Sequence, residues 1–164
     1  SGEALVIAGG SARFFRILQQ LAAPWSRETI HVGICGSAAR LKLVVNHVLG
    51  LQRLVLAEGL GLARSCGIDL EVALQILRKS PAAAQVMETK GPQMLRGDFV
   101  PRARLKQHLK DVTLIEALGQ SCNARLPLAD LHRTLLEEAV ERGWGELDNS
   151  AVFKLFSDDD EPTG

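Results

Sequence analysis

The chain has 164 residues, of which 46% are hydrophobic and 23% are charged, and its 19 basic and 19 acidic side chains give a formal net charge of zero. This length is enough to bury a core and predicts one domain or a little more. The basic residues are dispersed, so the sequence lacks the clustered positive charge of a protein that binds nucleic acid or an anionic membrane surface.

The first thirty or so residues predict one βαβ unit. Residues 4–7 and 29–32 have the apolar composition of short strands, and residues 11–23 form a helical pattern with Phe14, Phe15, Leu18 and Leu21 toward one side. Two parallel strands are marginal alone, because parallel sheets are normally buried on both faces and built from several strands. We therefore expect further strands before Ser1, the alternative being an unusual packing on the rest of the chain.

A glycine-rich turn then leads into a long apolar helix. Gly33 and Gly36 allow a tight turn and close approach of a ligand to the backbone, and Ser37 is the predicted N-cap. For about 25 residues from Ser37 nearly every face of the helix is apolar, which predicts an interior helix. Polar residues interrupt it too often for a membrane span, namely Asn46, His47, Gln52, Arg53 and Glu58.

Lys42 and Asn46 are the candidate functional residues of this helix. They lie at i and i+4, so both side chains point the same way, one turn apart. The same narrow stripe contains Arg53 and Arg64. One interpretation is that the stripe faces solvent and Lys42 only extends its ammonium to water. The glycines before the helix favour a second interpretation, in which the Lys42 ammonium and the Asn46 amide face a ligand.

The remaining chain predicts helices to its end. Gly67 is the expected end of the long helix, and Asp69 caps a helix that extends to residue 79. A shorter segment with Val86 and Met87 follows, between Pro81 and Gly91-Pro92. A further helix spans 105–121, and Pro127 begins another. In that last helix the expected inward stripe is Leu128, Leu131, Leu135, Leu136, Ala139 and Val140, ended by Gly143. Ser150 is expected to cap a short final helix to residue 156, before an acidic tail at 158–164.

Cysteine and histidine spacing adds expectations about location and metals. Cys35, Cys66 and Cys122 are widely spaced without a C-x-x-C pair, which predicts a reducing cytoplasm. Cys35 lies inside the glycine turn, where we interpret it as a small filling residue rather than a nucleophile. The four histidines show no metal-ligand spacing, so we expect no metal site.

The turn and helix together resemble the β-hydroxyacid dehydrogenases, the family of 3-hydroxyisobutyrate dehydrogenase and tartronate semialdehyde reductase, related to 6-phosphogluconate dehydrogenase. The family signature is G-x-x-G-x-G-x-x-x-K-x-x-N-N. Gly33, Gly36, Lys42 and Asn46 match it, whereas Ala38 replaces the third glycine and Val45 the first asparagine. The lysine and the second asparagine are the positions that the family uses.

Further matches follow in the family's order. The segment from Ala57 to Leu60 resembles the helix continuation, and three later segments resemble the G-D-F-x-P, K-D-L and D-x-S-A motifs, at 97–101, 109–112 and 148–151. The G-x-G-x-x-G turn and the S-G-G segment with which the family begins are absent from this sequence. The resemblance therefore implies a C-terminal part of such an enzyme, with a Rossmann-domain remnant at 1–36 and a helical domain at 37–157.

The resemblance also implies roles for three residues. Lys42 would be the general acid or base that exchanges the hydroxyl proton while hydride passes to or from NAD or NADP. Asn46 would bind the small β-hydroxy acid and hold Lys42 in register, and Lys110 would reach the nicotinamide end of the cofactor. Without the resemblance, Lys110 and Asp111 would be a surface ion pair, and Asp111 is expected to cap or tether its helix. Asp148 and Ser150 are expected to have a structural role.

Two other functions stay open at this point. One is a relative that keeps the fold only for dimerisation or scaffolding, and the other is an imine reductase, in which the catalytic lysine is usually replaced. Lys42, Asn46 and Lys110 together argue against both. We expect a homodimer through the helical domain, in which Gly50, Gly59 and Gly61 let another helix approach. Without a phosphate-binding turn, the chain alone should show neither turnover nor appreciable cofactor binding.

Overall fold

The computed structural model describes residues 4–157, which are mainly helical with one short parallel sheet. The elements are β1 (Ala4–Ala8), α1 (Ala12–Ala22), β2 (Ser26–His31), α2 (Ser37–Ser65), α3 (Leu70–Lys79), α4 (Gln85–Thr89), α5 (Gly91–Arg96), α6 (Leu105–Ser121) and α7 (Pro127–Ala139). A π-helical turn, Val140–Trp144, and a 3₁₀ helix, Asn149–Phe156, follow α7. A mainly helical chain with a βαβ start is confirmed, whereas the predicted tail at 158–164 lies outside the described residues.

The described residues fall into two compact units that divide between Val45 and Asn46, inside α2. The first unit contains β1 and β2, which pair in parallel with Ile7 opposite Ile30. The strand β2 begins three residues before the predicted Thr29, because an irregularity after the Ala4 and Ser26 pair lets the ladder extend backward. The predicted domain bounds at 36 and 37 stay a prediction.

The glycine turn of the first unit adopts the backbone that only glycine takes readily. Gly33 and Gly36 have φ values of 109° and 89°, in the left-handed region. The turn lies against the end of β1, where a Cβ on Gly9 would come within 2.5 Å of the Ile34 carbonyl oxygen. Ser37 is the first residue of α2 rather than its N-cap, a shift of one position.

The second unit contains the hydrophobic core. Helix α2 contributes its buried face to this core, which α3, α4, α5, α6, α7 and the 3₁₀ helix complete. The largest fully buried apolar side chains are Leu56, Leu60, Leu74, Met94, Leu105, Val112, Leu136, Val152 and Phe153. The core positions predicted for α3 are confirmed, since Leu74 is buried and Leu70, Ala73 and Leu77 pack against the core.

The predicted end of α2 and the predicted start of α3 are confirmed by their capping geometry. Gly67, with φ of 70°, follows α2, and the Ile68 amide donates to the Ala63 carbonyl as in a Schellman motif. The Asp69 side chain accepts a hydrogen bond of 2.9 Å from the Val72 amide at the start of α3. Local sequence therefore determines where α2 ends and where α3 begins.

Two further expectations, one about an inward face and one about a cap, need correction. The expected stripe of α7 is confirmed at Leu136 and Ala139, which are buried, and at Leu135 and Val140, which pack against the core. It is wrong at Leu128 and Leu131, which are 58% and 55% exposed, and the other buried positions of the helix are Ala129 and His132. The final helix is a 3₁₀ helix capped by Asp148, whose side chain accepts from the Ser150 amide, so Ser150 is not the cap. The cap sits two residues earlier because Asp148 is fixed by other hydrogen bonds described below.

Part of the apolar surface of α2 is left uncovered within the described chain. Val44, Val48, Val55 and Leu62 are between 49% and 68% exposed.

By length and composition, α2 could also cross a membrane. An 18-residue window of this helix has a mean hydropathy of 1.2, and one-third of the window is buried. The core helix of a soluble protein passes the same test, so this property does not decide the location of the chain.

Candidate functional site

The lysine of the glycine-turn motif lies on the first part of α2. Lys42 is exposed, on the second turn of the helix, and Asn46 follows one turn later on the same face of this continuous helix. Asn46 is half-buried, and it is the first residue of the second unit. The helical spacing that the sequence predicts for the two side chains is therefore present along α2.

The structure brings Asn46 together with a residue of α6. Its Nδ2 donates a hydrogen bond of 3.3 Å to Oδ2 of Asp111, across 65 residues of sequence. This bond fixes the orientation of the Asn46 amide, because one N–H is directed at Asp111 and the carbonyl oxygen then points away from it. Asp111 tethers α6 to α2, which agrees with the tethering role expected for it.

Lys110 precedes Asp111 on α6 and is exposed. Consecutive helical residues point about 100° apart, so Lys110 and Asp111 are directed to different sides of α6. The structure therefore brings Asn46 together with Asp111, and among the described residues no hydrogen bond or ion pair joins Lys110 to either of them. The amide and carboxylate pair can orient a small polar molecule.

One turn further along α2, the contact with α6 is made by glycine. A Cβ on Gly50 would lie 2.7 Å from Nε2 of His108 on α6 and 2.7 Å from Cε1 of His132 on α7. The two imidazole rings are buried, with 7% and 1% exposure, and their centroids are 5.0 Å apart. Sequence reasoning missed this cluster because histidines 24 positions apart on separate helices leave no local pattern.

Arg53, one turn after Gly50, completes the buried cluster electrostatically. Burial, and next the charge of Arg53, lower the pKa of His108 to about 3 and that of His132 to about 4, from an ordinary 6.5. Burial also lowers the pKa of Arg53 to about 10, although Asp148 opposes this shift. The histidines are therefore neutral and Arg53 is charged at neutral pH, which corrects the expectation that Arg53 lies on a solvent-facing or ligand-facing stripe.

A second buried cluster surrounds Asp148. Its Oδ1 accepts from Nζ of Lys90 at 2.7 Å and from the Ser150 hydroxyl at 2.7 Å, and its Oδ2 accepts from the amides of Arg102 and Ala103. Burial by itself would raise the pKa of Asp148, but these hydrogen bonds outweigh it and hold the pKa of this carboxyl well below its usual value. The cluster fastens the segment after α5 to the 3₁₀ helix, so the structural role expected of Asp148 and Ser150 agrees with this geometry.

The family comparison covers most of the chain. A sequence profile described as the NAD-binding domain of NADP-dependent 3-hydroxyisobutyrate dehydrogenase matches residues 36–156. This match confirms the resemblance seen in the motifs. Because the family is one of NAD-binding domains, it also confirms a nicotinamide cofactor, NAD or NADP.

Individual relatives include both enzymes and a nuclear factor. L-threonate dehydrogenase of Haemophilus influenzae is 29% identical over 95% of this chain and 52% of its own length. The cytokine-like nuclear factor N-PAC of Aedes aegypti is 27% identical over 93% of this chain and 27% of its own length. The chain thus spans about half, or less, of the curated relatives that it matches.

Solved structures show the same fold. The crystal structure of 3-hydroxyisobutyrate dehydrogenase from Salmonella typhimurium superposes with a TM-score of 0.82 at 25% identity, over 90% of this chain and 52% of that chain. The mainly helical architecture with a short parallel sheet is therefore that of known 3-hydroxyisobutyrate dehydrogenase structures.

Proposed function

Because the chain belongs to the family of NAD-binding domains of 3-hydroxyisobutyrate dehydrogenases, we propose that it forms the helical C-terminal part of an NAD(P)-dependent oxidoreductase. Its substrate is a small β-hydroxy acid, which the enzyme interconverts with the corresponding carbonyl compound. The observation that carries the proposal is the combination of Lys42 and Asn46, one turn apart after a glycine turn, with the Asn46 amide oriented by Asp111.

In this proposal Lys42 acts as the general acid or base. A lysine ammonium is a competent acid for carbonyl reduction. In the reducing direction Lys42 donates the proton to the carbonyl oxygen, and in the oxidising direction it removes the hydroxyl proton. The bound nicotinamide supplies the hydride chemistry.

Asn46 and Lys110 have binding roles in the proposal. The orientation of the Asn46 amide leaves its carbonyl oxygen available to accept a hydrogen bond from the Lys42 ammonium or from the substrate hydroxyl. Lys110 follows Leu109 on α6 and is exposed, and in the proposal its positive charge is directed to the cofactor. An amide that is already oriented reduces the entropy that must be lost when the substrate is bound for reaction.

The test of this function is the Lys42→Ala variant of the full-length enzyme. We expect kcat to fall by about a hundred-fold or more with an intact fold, the usual scale for loss of a general acid or base. Arg40→Ala, an exposed cation two residues away on a different helical face, is the matched control and should keep its turnover. Unchanged kcat in Lys42→Ala at saturating substrate would rule out the catalytic role.

A second candidate function is a non-catalytic one, favoured by the similarity to N-PAC, whose name describes a nuclear factor. In that case the chain would serve dimerisation or scaffolding. Turnover by the full-length protein with a small β-hydroxy acid and NAD or NADP separates the two, because a scaffold has none. The retention of Lys42, Asn46 and Lys110 together supports the enzyme.

We also propose that the chain forms a homodimer through α2. Val48, Val55 and Leu62 are exposed on this helix, and Gly59 has open space where a Cβ would be. A groove of about 550 Å³ follows the same face beside Phe156. Gly50 and Gly61 are not free for a partner, because His108, His132 and Phe156 of the same chain already contact them.

Light scattering at a protein concentration of tens of micromolar should give the mass of a dimer. We expect the dimer interface to bury about 2,000 Å² or more, as in obligate dimers. Val55→Glu places a charge on the exposed face of α2 and should produce monomers, whereas Val72→Glu on α3 is the matched control and should remain dimeric. A monomer mass for the unmodified chain, with its helical circular dichroism intact, would contradict the proposal.

A further inference from the structure

We propose that Gly50 and the buried pair His108 and His132 form a positioning device, which holds α2 and α6 at the separation at which Asn46 reaches Asp111. The device would set the orientation of the Asn46 amide from inside the second unit. Its consequence for catalysis rests on the proposed function, but its effect on the Asn46 side chain does not.

The two contacts belong to one line along the α2 and α6 interface. Asn46 and Gly50 are four residues apart on α2, and His108 and Asp111 are three residues apart on α6. Both spacings place side chains on a common helical face, one above the other. The hydrogen bond between Asn46 and Asp111 and the contact between Gly50 and His108 are therefore adjacent, so a shift of one helix at Gly50 is transmitted to Asn46.

The separation of the helices is set by hard contacts at Gly50. A Cβ at this position would meet both imidazoles at 2.7 Å, whereas ordinary contacts between non-bonded heavy atoms lie at about 3.5–4.0 Å. The α2 backbone therefore rests directly on the two rings. Neither ring can move away easily, since each is more than nine-tenths buried and they pack against each other.

The hydrogen bond that depends on this separation has little tolerance. At 3.3 Å, the distance from Asn46 Nδ2 to Asp111 Oδ2 is already at the long end of the usual range, about 2.7–3.2 Å for N–H···O bonds. A methyl group on Gly50 would push the helices apart by about 1 Å to relieve its contacts. The bond would then be lost, and the amide would be free to rotate.

The chemistry of the two rings suits a spacer. The charges that act on the two rings are those of basic groups: Arg53 lowers the pKa of both, His132 lowers that of His108, and His47 lowers that of His132. The two rings are therefore uncharged beside the Arg53 guanidinium, and the cluster has no repulsion between cations at neutral pH. Burial lowers the pKa of both rings, so this state persists well into mildly acidic solution.

The direct test is the side-chain amide resonance of Asn46 in ¹H–¹⁵N spectra, assigned by its absence in Asn46→Ala. Asp111→Asn defines the resonance position without the carboxylate acceptor. We expect Gly50→Ala to move the Asn46 resonance to that same position. Gly59→Ala is the matched control, because it makes the same change on the same helix where a Cβ meets no atom within 4 Å, and it should leave the resonance in place.

A second variant covers the case in which Gly50→Ala does not fold. His108→Ala removes the spacer while Gly50 is kept, and the Asn46 resonance should again move away from its original position. An unchanged Asn46 resonance in either variant, with the fold intact by circular dichroism, would overturn the proposal. The proposal also fails if Gly59→Ala shifts the resonance as far as Gly50→Ala does.

Kinetics of the full-length enzyme distinguish positioning from general stability. We expect Gly50→Ala to lower kcat/KM by about ten-fold or more, the effect of a misplaced binding group, and to have little further effect when Asn46 is already alanine. Equal losses in both backgrounds would mean that Gly50 does not act through Asn46. If the unmodified enzyme has no turnover, the proposed function fails while the resonance test of the device still stands.

Discussion

Two buried polar clusters of the second unit differ in how their polar atoms are satisfied. Around Asp148, both carboxylate oxygens accept hydrogen bonds, and the neighbouring Lys90 ammonium balances the charge. Around Arg53, by contrast, Nε and Nη1 of that arginine, Nε2 of His108 and Nδ1 of His132 are buried without a hydrogen-bond partner among the described residues.

The difference separates two uses of a buried polar group. A fully paired carboxylate fastens chain segments together, and removing it leaves an uncompensated charge. The unpaired imidazoles fill space between the helices without adding charge. Their burial costs desolvation energy that no hydrogen bond offsets. We therefore expect the first cluster to dominate stability near neutral pH and the second to control how stability changes in mild acid.

The largest effect is expected for Asp148→Ala. The substitution removes every acceptor of the cluster and leaves Lys90, with 14% of its side chain exposed, without its partner. We expect the free energy of unfolding to fall by about 3–5 kcal/mol, as for other broken buried ion pairs. Urea unfolding followed by circular dichroism measures the change.

Glu146→Ala is the control for that substitution. Glu146 pairs with Arg104 and Lys106 at the surface, with 64% of its side chain exposed. Such pairs contribute about 0–1 kcal/mol, so its removal should change the unfolding free energy little. Equal losses for Asp148→Ala and Glu146→Ala would show that the Asp148 cluster has no special weight.

An intermediate effect is expected from pH. The pKa of His108 and of His132 is lowered in the folded chain, so below the ordinary value of 6.5 the unfolded chain binds more protons. Stability is then fully present above about pH 6.5 and is lost as the pH falls, by up to about 1.4 kcal/mol per pH unit for each histidine. Urea midpoints at pH 7.5, 6 and 5 measure this slope.

Asp148 should act in a separate, more acidic range. The pKa of this carboxyl is lowered from the ordinary 3.8, so its contribution is present above that value and is lost only as the pH falls below it. The range between pH 7.5 and 5 therefore tests the histidines and not Asp148. A free energy of unfolding that stays constant over this range would contradict the assignment of neutral, buried histidines.

The smallest effect on stability at neutral pH among the substitutions in the two buried clusters is expected for His132→Leu. Leucine keeps much of the ring's volume and removes a buried nitrogen that has no partner, so we expect the unfolding free energy to change by less than about 1.5 kcal/mol. The acid slope between pH 6.5 and 5 should fall by about half, since one of two titrating rings is gone. An unchanged slope would assign the acid sensitivity to other groups.

Local patterns were sufficient for the elements and for the family. The caps at Asp69 and Gly67 and the start of α7 at Pro127 follow from interactions within a few residues, which the sequence contains. Lys42 and Asn46 could be identified for the same reason, because helical periodicity fixes their common face. The match at residues 36–156 agrees with the motifs that identified the family.

Inward faces were less predictable where polar residues occupy the core. The spacing of leucines predicted that Leu128 and Leu131 lie on the core-facing side of α7, yet both are exposed and His132 is buried. A histidine is accepted there because Gly50 and His108, from two other helices, pack against the ring, and because burial and the charge of Arg53 keep it neutral. No pattern within α7 contains that information.

The sequence by itself determined the helical architecture, the short parallel sheet, the family and the helical face shared by Lys42 and Asn46. Only the tertiary structure decided that Asn46 donates to Asp111, that Gly50 lies against His108 and His132, and that Lys90 pairs with Asp148. The physical reason is the distance along the chain over which each kind of interaction acts. Caps and periodicity act within a turn or two of helix, whereas these contacts join residues 58 or more positions apart and exist only after the helices have packed.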